Sequence, residues 1–129
     1  MADTEKITIN LGPVDLGRID VLVDQGLYSN RTDLIKTAIR NQLDKHDPVV
    51  RDFSLRRSFS LGVMTLSRSE LERNLAEGKR VSLRVIGTLH ILDDVSPELA
   101  SQAIDSISVR GVFRAPLAVK EALNDRIKG

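Results

Sequence analysis

The chain has 129 residues, 41% of them hydrophobic and 29% charged, which suits one ordinary domain or two small ones and excludes wholesale disorder. It contains no Cys and no Trp, with three Phe and one Tyr, so disulfides, thiolate nucleophiles and thiolate metal sites are excluded and base-stacking platforms are scarce. The net charge is only +1, divided as six Lys/Arg against eight Asp/Glu in residues 1–47 and thirteen against ten in residues 48–129, so any binding to nucleic acid must come from local placement of charge.

The polar start Met1-Ala2-Asp3-Thr4-Glu5-Lys6 leads into no apolar stretch, and no run reaches the roughly 18 apolar residues of a membrane span. A cytoplasmic protein without a membrane partner is expected. Lys6-Ile7-Thr8-Ile9-Asn10-Leu11 then alternates polar and apolar, which predicts a half-buried strand with Ile7, Ile9 and Leu11 on one face and Lys6, Thr8 and Asn10 on the other. Gly12-Pro13 ends it, because proline cannot donate to a ladder and suits a helix start. From Pro13 the period lengthens: Leu16, Ile19, Leu22 and Val23 describe an amphipathic helix that Gly26 closes. Asn30, with Asp33 three residues on, has the pattern of a helix cap, followed by Leu34, Ile35, Ala38, Ile39 and Leu43 on one face and a stop at Asp47-Pro48.

One strand and two short helices cannot close a core alone. Two such segments can, if the strands pair antiparallel about a two-fold axis above the four helices. The outer face of that ribbon carries Lys6, Thr8 and Asn10 from each copy, and a two-stranded ribbon of such side chains fits a DNA major groove. The competing reading is a merely solvated strand face.

Residues 4–46 resemble a ribbon-helix-helix repressor of the CopG/Arc/MetJ kind. The resemblance rests on Ile7-Thr8-Ile9-Asn10-Leu11, Ile19-Asp20-Val21-Leu22-Val23, Gly26, and Ser29-Asn30-Arg31-Thr32-Asp33-Leu34-Ile35 with Ala38-Ile39-Arg40. It implies an intertwined homodimer whose Lys6, Thr8 and Asn10 contact bases of double-stranded DNA. It also implies that Asn30, Arg31 and Thr32 anchor a phosphate at the start of the second helix. Thr8 is short and can serve any base. Lys36 and Arg40 read as a solvated helix face, and His46 and His90 as isolated structural or surface residues, so no metal site is expected.

Residues 48–60, with Arg51, Arg56 and Arg57 among Phe53, Leu55 and Phe59, read either as a linker carrying basic residues toward the DNA backbone or as a strand of the next domain. Beyond them Gly62, Gly87 and Gly111 recur at spacings of 25 and 24 residues, each followed two positions on by Met64, Leu89 or Phe113 and four on by Leu66, Ile91 or Ala115. Helix-like stretches follow each: Ser69 to Leu75, Pro97 to Ile104 and Pro116 to Ile127. Strand plus helix at this period predicts a leucine-rich-type solenoid in residues 61–129, with an irregular α/β domain as the other reading. The whole is thus an α+β chain: a DNA-binding domain over 1–47, a linker over 48–60, and a repeat domain suited to oligomerisation or to a protein partner.

No catalytic constellation is present, and Asp93-Asp94 before Ser96-Pro97 reads as helix capping, so neither an enzyme nor a cofactor is expected. The favoured function is a sequence-specific, nucleoid-associated transcriptional regulator. Two alternatives stay open: an antitoxin that autoregulates its operon and binds a toxin through residues 61–129, and a DNA-tethered polymerising protein.

Overall fold

Pro13 starts the first helix, where a missing amide hydrogen costs nothing. The computed structural model describes residues 4–128, and the chain divides into two compact units at Arg51/Asp52.

The first unit holds α1 (Pro13–Asp24), α2 (Arg31–Lys45) and the start of α3 (Asp47–Arg57). Helix α1 ends in paired backbone bonds, Gly26 N–H to Val23 O and Leu27 N–H to Leu22 O, which satisfy its last carbonyls. Helices α1 and α2 pack on one another, with Leu16, Ile19, Val23, Leu34 and Ile35 half-buried. No residue of either helix is fully buried. Residues 4–12, where a strand is expected over 6–11, form no helix and join no ladder within the single chain. The reason is physical: a strand needs a neighbour, and the described strand pairing in this chain all belongs to the second unit.

The second unit contains β1 (Ser60–Leu66), α4 (Arg68–Ala76), β2 (Val81–Ile91), α5 (Pro97–Ala103), β3 (Ile104–Arg114), α6 (Leu117–Ala122), a 3-10 turn (Asn124–Arg126) and β4 (Ile127–Lys128). All pairings are parallel and the sheet order is β1-β2-β3-β4. Each strand–helix step therefore returns the chain beside the strand it left. Alternate residues of β2 and β3, among them Leu83, Val85, Leu89, Ile91 and Ile107, are buried in one core with Leu71 of α4, Ala100 of α5 and Val119 of α6. On the other parity of the sheet Leu61, Val63, Arg84 and Arg110 are exposed, while Ile86, Thr88, Ser108 and Val112 are half-buried.

The three glycines fall in one row, Gly62 opposite Gly87 and Gly87 opposite Gly111. All three have φ between +125° and +135°, a region L side chains avoid. The row also needs glycine for space: a Cβ on Gly87 would lie 2.0 Å from the Gly62 carbonyl oxygen, and one on Gly111 would lie 2.2 Å from that of Gly87.

Two expectations need correction. Residues 48–60 contain neither an irregular linker nor a strand over most of their length; they are helical to Arg57, with Pro48 in the first turn of α3 rather than merely ending α2. Ile104 and Ile127 start strands instead of closing helical stretches, because each is placed to pair with the preceding strand. Among the described residues no helix is long and apolar enough to cross a membrane.

Candidate nucleic-acid interface

In the first unit Asn30, Arg31 and Thr32, the residues expected from the sequence to anchor a phosphate, gather at the N-terminus of α2. Asn30 caps the helix in an extended conformation, its side-chain oxygen accepting the Asp33 N–H at 2.8 Å. Asp33 reaches back to accept the Ser29 N–H at 2.9 Å, so the turn is closed from both sides. With the Asp33 N–H taken, the N–H groups of Arg31 and Thr32 are the first-turn donors that the helix itself supplies with no acceptor. They point along the positive end of the helix dipole, which is chemistry suited to an anion.

The Arg31 side chain is engaged differently. Its Nε and Nη2 donate to the two carboxylate oxygens of Asp20 at 2.8 and 2.9 Å, a fork that ties α2 to α1. That hydrogen bonding holds the Asp20 carboxyl below its ordinary range and Arg31 above its own. Asp20 was not singled out as a functional residue by the sequence; an acid eleven residues before Arg31 carries no local spacing signal, and only the packing of α1 against α2 brings them together.

Lys6, Thr8 and Asn10 lie exposed on the segment before α1. Their neighbours in the alternation are exposed as well, Ile7 at 75%, Ile9 at 54% and Leu11 at 42%. Ile39 and Leu43 of α2 and Val21 of α1 add to this open apolar surface.

Other sequence candidates take structural positions. Arg51 pairs with Asp47 and Arg56 with Asp52 along α3, while the Arg57 guanidinium stands over the Phe53 ring. Asp94 accepts the Arg68 N–H at 3.2 Å, capping α4 from a neighbouring turn, and Ser96 caps α5 through the Leu99 N–H. His46 follows α2 with its ring beside Gln42. Among the described residues no group of three or more His, Cys, Asp or Glu is placed to hold a metal.

A family model described as the Ribbon-Helix-Helix transcriptional regulator family matches residues 2–120. No curated protein and no solved structure matches the chain.

Proposed function

The chain belongs to the ribbon-helix-helix transcriptional regulator family, and from that membership we propose that it is a sequence-specific DNA-binding regulator acting as a two-fold dimer. The strands of residues 6–11 from two copies pair antiparallel, and the ribbon enters the major groove. The observation that carries this reading is the alternation at residues 6–11: an apolar row left open at Ile7, Ile9 and Leu11, backed by helices with no buried residue. A second copy supplies the missing half of the core. Lys6, Thr8 and Asn10 then face outward as base readers.

The phosphate anchor is the start of α2. Because the Arg31 guanidinium is held by Asp20, the contact falls to the N–H groups of Arg31 and Thr32 behind the Asn30 cap. The strand–helix unit is a short solenoid that joins dimers on DNA, which offsets the weak charge of the first unit through effective concentration.

The test is a titration of the full chain against the DNA upstream of its own reading frame and a scrambled duplex, at two salt concentrations. Preference for the upstream fragment that survives the higher salt, and is lost in the Thr8→Ala/Asn10→Ala double variant, supports base readout. Equal, salt-labile binding to both duplexes overturns it.

A further inference from the structure

We propose that the second unit assembles head to tail with further copies of this chain, the β1 edge of one copy adding to the β3 edge of the next. The argument starts from the glycine row. In each internal step the carbonyl of one glycine fills the space where the next glycine lacks a Cβ: Gly62 O at Gly87, and Gly87 O at Gly111. At Gly62 the backbone adopts the same conformation, φ +125°, yet nothing lies within 4 Å of that space. By the same geometry the open space faces away from β2, on the free edge of β1. The row thus ends in an open seat at Gly62 and a glycine carbonyl at Gly111, and one completes the other.

The free edges match in length. Strand β4 covers β3 only at Ile107 and Ser108, so Val109–Arg114 has no strand neighbour on that side among the described residues. Placing Gly62 of one copy opposite Gly111 of another sets Ser60–Thr65 opposite Val109–Arg114, beginning one residue after β4 stops. In that register Met64 meets Phe113 on the helix-covered face, as it meets Leu89 within the chain. On the other face Val63, 76% exposed, meets Val112. An apolar edge of this kind pairs unless something blocks it. The contact is heterologous, so it extends to a ring or filament rather than closing as a two-fold pair. It is separate from the ribbon dimer and does not depend on DNA binding.

The chain has no native cysteine, so the register can be read by cross-linking Val63→Cys/Val112→Cys in the full chain. Within one copy β2 separates these positions by two strand spacings, about 9.6 Å, beyond disulfide reach. The expected result is disulfide-linked multimers whose peptide map joins position 63 to position 112. Light scattering of the unmodified chain should show mass rising with concentration past the dimer, and Val63→Lys should stop that rise. A folded double variant without the 63–112 link, or a mass that never exceeds the dimer, overturns the proposal.

A different observation carries a second inference. Of the exposed cations in the second unit, Arg56, Arg68, Lys79 and Arg80 are paired with acids. Arg57, Arg73, Arg84, Arg110 and Lys128 have no ion pair among the described residues; Arg73 lies on α4, and the other four line one cleft of about 260 Å³ with Ser106 and Ser108. Arg84 is held by donating to the Arg57 carbonyl at 2.9 Å, and Arg110 stands 5.7 Å from the centroid of Phe59. Three held guanidinium groups, the Lys128 ammonium and two hydroxyls, with no carboxylate among the described lining residues, suit a multiply charged anion. We infer that this cleft binds phosphate, either on a small phosphorylated ligand or on a nucleic-acid backbone.

Calorimetric titration of the full chain with pyrophosphate, alongside binding of a duplex, separates the two sources. In Arg84→Gln/Arg110→Gln, checked for an unchanged circular dichroism spectrum, pyrophosphate affinity should fall at least about tenfold, as expected for loss of two charge-assisted contacts. Loss of duplex affinity alone assigns the phosphate to DNA. Unchanged affinity for both probes overturns the inference.

Discussion

Asn30 shows how one side chain sets the start of α2. Its oxygen takes the Asp33 N–H, and losing such a cap costs about 1 kcal/mol. Asn30→Ala should therefore lower the unfolding free energy by about that amount in urea titration, while Asn30→Asp, which keeps the acceptor, should lower it far less. The neighbouring Asp20–Arg31 pair gives a pH dependence. Its hydrogen bond to Arg31 holds the folded-state pKa of Asp20 below the unfolded value, which is about 4. The pair's contribution is therefore present above the unfolded value and is lost as pH falls through the folded one. Asp20→Asn should melt lower than the unmodified chain at neutral pH, and the gap should narrow as pH drops below about 4. A gap that stays constant would mean the pair does not couple α1 to α2. Both residues are exposed, 44% at the Asp20 side chain and 53% at Arg31, so added salt should also narrow the gap at neutral pH.

At the scale of elements, periodicity carried the helices and the parallel strands. Pro13, the Asn30–Asp33 cap and the alternation through Val81, Leu83, Val85, Leu89 and Ile91 are local patterns, and each element lies where its pattern places it. The glycine spacing was legible for the same reason, since parallel neighbours in register repeat their requirements at equal intervals. Helix α3 was not legible, because Pro48 reads as a stop as readily as a first-turn residue, and Phe53, Leu55 and Phe59 alternate like a strand. Nor was the Asp20–Arg31 tether, which depends on how two helices face each other. The glycine row makes a graded prediction. Within one copy, at a concentration too low for head-to-tail assembly, Gly62→Ala meets only backbone strain, of order 1–3 kcal/mol, since its side is open there. Gly87→Ala meets the same strain and also drives a methyl into the Gly62 carbonyl. Thermal melts should rank Gly87→Ala well below Gly62→Ala, with the former failing to accumulate as folded protein. Equal melting of the two would mean that the strands can separate at the row without cost.

For the whole molecule, the family match runs through residue 120, so the strand–helix unit lies largely inside the family pattern rather than being an unrelated appendage. Charge is divided unevenly between the parts: the first 47 residues are acidic in balance and the remainder is basic. If the ribbon alone holds DNA, the cations it brings are few. In the proposed ribbon the outward cation is Lys6 of each copy, whereas Arg31 is held by Asp20 and backbone N–H groups displace no counterion charge of their own. A Lys6 ammonium that reads a base edge also displaces counterions from the adjacent phosphates, so two such cations per dimer give a slope no steeper than about −2 for log affinity against log salt. That slope should be nearly unchanged in Arg84→Gln/Arg110→Gln and should approach zero in Lys6→Ala, when both are measured on one operator-length duplex. A slope of about −5 or steeper in the unmodified chain, reduced by the Arg84/Arg110 changes, would instead put the basic cleft of the second unit on the phosphate backbone, making both units DNA-binding surfaces.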